Sequence, residues 1–339
     1  MEKKIRLGVL GLGRIGIMHV ENILAMPEFE IVMGSDPFLS EEREQTLKQM
    51  GLAACTRDPE DIFSNPDIDA VVICSTTDTH SDFIIRAAKA GKHIFCEKPI
   101  DHDVPRILDA VRAVKQAGVV LQVGFMHRFD THHGALADMM HSGKIGDVEV
   151  VKITSRDPAP PSMDYLRSSG GIFVDFMIHD FDMARFLTQS EAVGVFATGT
   201  TVCDPEIAEQ GDFGSGHAIV KFENGVIAVL ESTRRATFGH DQRIEALGSK
   251  GLLTDDNVFQ NNVHFYDAEG YHTAKAPWHF QERYKDAYKV ELQAFAKAVN
   301  EGTPSPVDGW DGLQAVLIAE AAAKSAKSGK YEPVEHIEI

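Results

Sequence analysis

Short apolar runs alternate with amphipathic stretches over the first third of the chain. The runs predict five strands, at residues 5–10, 31–34, 70–74, 93–96 and 119–123. Apolar residues at helical spacing predict helices between them, at residues 14–25, 41–50, 80–90 and 104–117. Strands that alternate with helices at this spacing indicate βαβ units and a parallel sheet.

The pattern changes after about residue 125. A helix at 131–141, a strand at 148–155 and a long helix at 171–187 are followed by β-rich runs from 192 to 273, separated by turn sequences. Two more helices, at 282–300 and 309–325, complete the chain. This order predicts an α/β + α+β protein: an N-terminal α/β domain over 1–125 and an α+β domain over 126–339. We expect the second domain to contain a large, mostly antiparallel open sheet. Its last helices are candidates for packing against the first domain.

Charge and apolar content exclude several classes of partner. The formal net charge of -18 argues against nucleic acid and anionic membranes, since both need a basic face. No apolar run reaches the roughly 20 residues of a membrane span, and the first run is too short for a signal peptide. The four cysteines show no CxxC spacing, which favours free thiols. We therefore expect a cytoplasmic protein.

A glycine motif lies directly after the first predicted strand and opens the first predicted helix. It reads Gly11-Leu12-Gly13-Arg14-Ile15-Gly16. Gly11 permits a tight turn, Gly13 lets the backbone approach a pyrophosphate, and Gly16 lets helix and strand pack closely. The free N–H groups of the helix N-terminus would bind the phosphates. The motif predicts a Rossmann domain in which this loop, including Arg14 and Ile15, binds a dinucleotide.

Asp36 lies twenty residues beyond Gly16, at the end of the second predicted strand. A carboxylate there would accept hydrogen bonds from the adenosine ribose and repel a 2′-phosphate, which favours NAD over NADP. The alternative is a turn residue before Pro37.

Lys98 follows the fourth predicted strand, at residues 93–96, in the sequence Glu97-Lys98-Pro99. The carboxyl ends of parallel strands face the ligand crevice of an open sheet. A lysine there can hydrogen-bond a reacting hydroxyl and stabilise negative charge, and a cis bond to Pro99 could hold it in place. A surface lysine in a turn is the alternative.

Asp175 and His179 are four residues apart on the predicted helix, so they share one helix face. Histidine suits the removal of a hydroxyl proton because its pKa lies near working pH, and a carboxylate can orient it. From the spacing alone, an ion pair on a helix surface fits better than a catalytic pair. We expect Asp180 and Asp182 to be solvated or capping charges. His127, His132, His133 and His141 lack zinc spacing, so no metal site is predicted.

Together these motifs resemble the glucose–fructose oxidoreductase / inositol dehydrogenase (Gfo/Idh/MocA) family over nearly the whole chain. The resemblance is carried by the glycine motif, by Glu97-Lys98-Pro99 and by three segments, at residues 73–80, 124–130 and 169–180. Residues 154–158 and 234–245 are most similar to bacterial inositol 2-dehydrogenases.

The resemblance implies an NAD-dependent dehydrogenase with Lys98, Asp175 and His179 as its catalytic set. It places a further set of residues beside the cofactor, namely Ser75, Thr76, Thr77, His80 and Glu97. It directs Arg128, Asp157 and His240 toward the hydroxyls of a polyol, which Lys98, Asp175 and His179 would also contact. It also implies a homo-oligomer, commonly a tetramer that pairs through the open face of the C-terminal sheet.

Two positions depart from the family pattern: His240 aligns with a tyrosine and His127 with a position that is often arginine. They leave open which polyol is oxidised. Myo-inositol oxidised to its 2-keto product is the first expectation, and scyllo- or chiro-inositol or a sugar is the alternative. Reduction in the cell is a further possibility, because the same site runs either way. A non-catalytic NAD-binding regulator is the alternative from another class, but such a sensor needs no proton acceptor.

Overall fold

The computed structural model describes residues 4–337. Two compact units make up the chain. Of the described residues, the first unit contains 4–126 and 288–313, and the second contains 127–287 and 314–337. No helix within residues 4–337 is both long and apolar enough to span a bilayer.

The first unit contains a six-stranded parallel sheet in the order β3-β2-β1-β4-β5-β6. Its strands are β1 (Ile5–Leu10), β2 (Phe29–Ser35), β3 (Cys55–Thr56), β4 (Ala70–Ile73), β5 (His93–Glu97) and β6 (Leu121–Gly124). Its helices are α1 (Arg14–Leu24), α2 (Glu41–Met50), α3 (Glu60–Phe63), α4 (Thr77–Lys89) and α5 (Val104–Ala117). This strand order is that of a doubly wound dinucleotide-binding fold, so the predicted Rossmann domain is confirmed.

The strands are buried on both faces, which explains why they read as continuous apolar runs. Val9, Val72 and Phe95 are register partners on one face and Val71 and Ile94 on the other, and all five are fully buried. The sequence pattern missed β3 and α3, because two and four residues are too short to show a period.

The second unit contains a seven-stranded sheet in the order β12-β11-β7-β10-β9-β8-β15. Only β7 and β10 are parallel, so the predicted mostly antiparallel sheet is confirmed. Its strands are β7 (Val148–Arg156), β8 (Ala192–Thr200), β9 (Ser215–Phe222), β10 (Ile227–Thr233), β11 (Asp241–Gly248), β12 (Gly251–Asp255) and β15 (Glu332–Pro333). The last predicted β-run instead forms a separate hairpin of β13 (His264–Asp267) and β14 (Gly270–Thr273).

The helices of the C-terminal half differ in length. They are α6 (Thr131–His141), α7 (Met163–Leu166), α8 (Ile178–Thr188), α9 (Pro205–Glu209), α10 (Phe280–Arg283), α11 (Lys285–Glu301) and α12 (Gly309–Ser328). A 3₁₀ turn at Met126–Phe129 precedes α6. Two of the boundaries between the units along the chain, at 287/288 and 313/314, fall within α11 and α12.

The helix predicted over residues 171–187 is two elements rather than one. A π-helical turn spans Ile172–Phe176, and α8 begins at Ile178. Gly170 and Gly171 both have φ of 84°, which blocks helix before this point. The Ile172 N–H donates to Asp212 Oδ1 over 2.8 Å and so caps the turn.

Candidate active site

The glycine loop has the geometry that a dinucleotide requires. Gly11 has φ of +90°, and a Cβ there would lie 2.5 Å from the Ser75 backbone nitrogen. A Cβ on Gly16 would lie 2.0 Å from the Gly11 carbonyl oxygen, so glycine is needed for helix α1 to approach the strand. A Cβ on Gly13 would meet no atom within 4 Å. Gly13 is also the N-cap of α1, so open space adjoins a helix N-terminus, whose N–H groups can bind an anion.

Asp36 braces this loop from the end of β2. Its Oδ2 accepts a hydrogen bond from the Leu12 N–H over 2.9 Å. Its Oδ1 accepts one from the Phe38 N–H over 2.9 Å, so Asp36 also takes the turn role that the sequence left as an alternative. A carboxylate offers about four acceptor sites, which leaves capacity for ribose hydroxyls.

The segment after β4 lies against the loop that contains the Lys98–Pro99 peptide bond, which is cis, and His80 contacts both. Thr76 is the N-cap of α4 and Thr77 its first residue. His80 is buried, with Nε2 at 3.0 Å from the Ser75 carbonyl oxygen and Nδ1 at 2.8 Å from the Pro99 carbonyl oxygen. Burial lowers the pKa of His80. A neutral imidazole carries one N–H, so His80 donates to one of the two carbonyl oxygens and packs against the other.

Glu97 is the last residue of β5 and precedes Lys98, which is partly buried. With His19 and Glu291 it forms a cluster of ionisable side chains. The Nε2 of His19 lies 2.6 Å from Glu97 Oε1. Glu291 is fully buried nearby, and neither of its carboxylate oxygens has a hydrogen-bond partner within residues 4–337. Burial, and then the charge of Glu97, raises the pKa of Glu291 well above its usual range. Sequence reasoning missed His19 and Glu291, since neither lies in the glycine or Glu-Lys-Pro motif.

Asp175 lies in the π-helical turn and His179 in the first turn of α8; each is 9% exposed. The Tyr165 hydroxyl donates to Asp175 Oδ1 over 2.7 Å, and Arg234 Nη1 donates to Asp175 Oδ2 over 3.3 Å. The pair is therefore buried rather than an ion pair on a helix surface. Tyr165 and Arg234 were not predicted, because they lie 10 and 59 residues from Asp175.

His127 lies against His179 and connects it to a buried aromatic cluster. The His127 and His179 rings stack with centroids 4.6 Å apart and planes at 23°. The ring of Tyr284 lies 4.5 Å from that of His127. Burial, followed by the charges of His179 and the neighbouring histidines, lowers the pKa of His127 well below its usual value. The His127 ring is therefore uncharged near neutral pH.

His133 anchors the opposite side of Tyr284. Its Nε2 lies 3.2 Å from the Tyr284 hydroxyl, and its Nδ1 lies 2.5 Å from Asp255 Oδ2. Asp130 pairs with Arg283 Nη1 over 2.5 Å. Asp130, His133 and Asp255 are residue types that bind metals, but their ligand atoms are occupied by these hydrogen bonds and by the arginine.

The three residues expected at the polyol lie in different surroundings. His240 Nε2 is 3.5 Å from Asp157 Oδ1, so these two are neighbours. Burial lowers the pKa of His240 to about 3. The side chain of Arg128 is 7% exposed and pairs with Asp182, through Nε at 2.7 Å and Nη2 at 2.5 Å.

The prediction of Asp180 and Asp182 as solvated or capping charges is wrong. Both are fully buried. Asp182 carries the pair with Arg128, and Asp180 lies against the hydroxyls of Ser155 and Ser232, at 2.5 and 2.8 Å. The partners come from a distant turn and from strands β7 and β10, so the local pattern could not reveal them.

Each half of the chain matches the model of a known protein family. Residues 5–125 match the model of the oxidoreductase family with an NAD-binding Rossmann fold. Residues 133–254 match the GFO/IDH/MocA C-terminal domain.

Similar proteins cover almost the full length. Myo-inositol 2-dehydrogenase of Thermotoga maritima is 41% identical over 98% of this chain and 99% of its own. Inositol 2-dehydrogenase of Rhizobium meliloti is 42% identical over 95% of this chain and 96% of its own. The structure of scyllo-inositol dehydrogenase from Lactobacillus casei, with bound NAD(H) and scyllo-inositol, has a TM-score of 0.92 at 31% identity and covers 98% of this chain and 99% of its own. The chain belongs to the Gfo/Idh/MocA family of NAD-binding oxidoreductases.

Proposed function

We propose that this protein is an NAD-dependent dehydrogenase that oxidises a ring hydroxyl of an inositol, with myo-inositol giving its 2-keto product. The observation that carries the proposal is identity above 40% to two inositol 2-dehydrogenases along nearly the whole of each chain. The open glycine loop and Asp36 support NAD as the cofactor.

The residues of the first unit bind and orient the cofactor. The N–H groups at the start of α1 receive the pyrophosphate beside Gly11, Gly13, Arg14, Ile15 and Gly16. Asp36 accepts from the adenosine ribose. Another set borders the remainder of the cofactor: Ser75, Thr76, Thr77, His80, Glu97 and Lys98. Bound NAD supplies the hydride acceptor.

The catalytic set is Lys98, Asp175 and His179. His179 takes the proton of the reacting hydroxyl at a ring nitrogen, while the C–H bond of the same carbon breaks as a hydride leaves. Asp175, held by Tyr165 and Arg234, orients the ring and stabilises the imidazolium. Lys98 donates to the hydroxyl oxygen and stabilises its developing negative charge. Arg128, Asp157 and His240 complete the set at the polyol.

We propose that residues 1–125 act as the dinucleotide-binding domain, and that residues 126–339 bind substrate and form the subunit interface of a homotetramer. An apolar row supports the interface. Phe196, Ile219 and Val229 are register partners on β8, β9 and β10, and they are 40%, 49% and 38% exposed. A second copy of the chain would cover this row.

The setting of the reaction also forms part of the proposal. All four cysteines are free thiols, which suits a reducing cytoplasm. Oxidation of an inositol by NAD suits a catabolic role.

A second candidate substrate is scyllo-inositol, because the Lactobacillus casei enzyme bound to it shares the fold at 31% identity. The experiment is NADH formation with NAD and a panel of myo-, scyllo- and chiro-inositol, glucose and xylose, repeated with NADP. Strong turnover of one inositol with NAD supports the proposal and identifies the stereoisomer. Absence of turnover across the panel, with NAD still bound in calorimetry, would reject it in favour of a regulator or an untested sugar.

A further inference from the structure

The ring of His127 is in contact with the rings of His179, Tyr284 and His133. It lies in the 3₁₀ turn before α6 and is 5% exposed. One face of its ring stacks on His179 at 4.6 Å, and Tyr284 lies at 4.5 Å with its plane at 31°. Rings at this separation restrict each other's orientation, so His127 forms a wall against which the His179 imidazole rests.

Several titratable groups surround this stack within the second unit. His133 on α6 lies 5.8 Å from His127, ring to ring, and His240 lies 5.8 Å from Tyr284. Arg283 brings one positive charge, and its pair with Asp130 offsets it. Asp255 binds His133, and Asp175 lies in the π-helical turn that precedes the helix of His179.

The pKa values of His127 and His240 are both lowered, mainly by burial, so these two rings are uncharged near neutral pH.

We propose that His127 is a positioning residue for His179: it holds the imidazole by stacking and keeps positive charge away from it. This inference rests on the proposed dehydrogenase function, in which the hydroxyl proton moves to His179. That step turns a neutral ring into an imidazolium. A neutral neighbour permits the new charge, whereas a cation at position 127, such as the arginine that similar proteins often carry there, would make that charge less favourable.

Two variants separate charge from shape. In His127→Arg the guanidinium is planar and can stack on a ring, but it carries a permanent charge. In His127→Phe the ring remains without any ionisable group. The measurement is the pH dependence of kcat/KM for inositol oxidation, whose acidic limb reports deprotonation of the proton acceptor.

We expect the acidic limb of His127→Arg to move about one to three pH units lower, because a nearby cation favours the neutral form of His179. The limb of His127→Phe should stay within about half a unit of wild type, since no charge is introduced. NAD affinity, measured by calorimetry, checks that both variants fold. A His127→Arg limb that does not move, or a His127→Phe limb that moves as far as that of His127→Arg, would overturn the inference.

A second readout needs no substrate. Diethyl pyrocarbonate reacts with the neutral form of a histidine and not with the imidazolium, so the pH midpoint of modification at His179, located by mass spectrometry, reports the protonation of this residue. The midpoint should fall in His127→Arg and stay in place in His127→Phe. If the wild type oxidises no polyol, the proposed function fails while this midpoint still decides the inference: a fall supports it and an unchanged midpoint rejects it.

Discussion

Tyr165 donates a hydrogen bond from its hydroxyl to Asp175 Oδ1 over 2.7 Å. The second carboxylate oxygen of Asp175 accepts from Arg234. Two donors on different elements thus set the plane of the carboxylate that we assign to orienting His179. Tyr165 itself is 45% exposed, so it can be changed without opening a cavity in a core.

Replacing Tyr165 with phenylalanine should lower kcat about fivefold, because a hydrogen bond of this kind contributes about 1 kcal/mol. NAD affinity should not change, since the tyrosine contributes nothing to the glycine loop. Steady-state kinetics and calorimetry measure the two effects. Tyr266→Phe, on the exposed hairpin, is the matched control and should behave as wild type. Equal kcat values in the two variants would argue against this role of Tyr165.

The two glycines of the loop should separate cofactor binding from folding. Gly13→Ala adds a methyl group to open space at φ of -74°, so the fold should persist while NAD affinity falls at least tenfold. Gly16→Ala places its methyl group 2.0 Å from the Gly11 carbonyl oxygen, so its thermal midpoint should fall. Calorimetry with NAD and thermal unfolding distinguish the variants. Normal NAD affinity in Gly13→Ala would contradict the placement of the pyrophosphate.

Asp180 should make stability depend on pH. Burial raises its folded pKa to about 7, from an unfolded value near 3.8. The single Ser155 hydroxyl proton lies within reach of both Asp180 and Gln242 Oε1, an arrangement that a protonated Asp180 satisfies. The folded state therefore holds a proton that the unfolded state releases, and stability falls as pH rises from about 4 to about 7, by about 4 kcal/mol in total.

Asp180→Asn removes this titration, so its thermal midpoint should lose that part of the pH dependence and exceed that of wild type above pH 7. Asp138→Asn, at an exposed aspartate of α6, is the control and should follow wild type. Parallel curves for all three proteins would contradict the assignment of a buried, protonated Asp180.

Lys98 and His179 should matter for turnover far more than for cofactor binding. Lys98→Met and His179→Asn should each lower kcat at least about a hundredfold, which is typical for loss of a general base or a charge-stabilising donor. NAD affinity should change by less than about threefold, because both groups act mainly on the reacting oxygen and Lys98 is one of many residues that border the cofactor. Lys89→Met, at an exposed lysine of α4, is the control. Near-normal turnover in both variants would defeat the catalytic assignment.

The sequence predicted best those features whose causes are local. The glycine loop, Asp36 and the alternating strands and helices of the first unit follow from spacing along a short segment, and the structure contains them within a few residues. The buried strands of the parallel sheet, apart from the two-residue β3, also carry a strong apolar signal.

Features that depend on distant partners could not be predicted. The ring of His127 packs against a tyrosine that follows it by more than 150 residues, and Asp180 is buried against serines 25 and 52 residues away. The local sequence pattern predicts a solvated Asp180, because a charged residue near the start of a helix is usually exposed. Only the tertiary structure shows that strands β7 and β10 cover it.

Transfer of deuterium from substrate to cofactor tests the central claim most directly. Myo-inositol labelled with deuterium on carbon 2 is oxidised with NAD, and the reduced cofactor is weighed by mass spectrometry. Hydride transfer from that carbon predicts a reduced cofactor one mass unit heavier than the product of unlabelled substrate. Reduced cofactor without deuterium, or none at all, would contradict oxidation of myo-inositol at carbon 2.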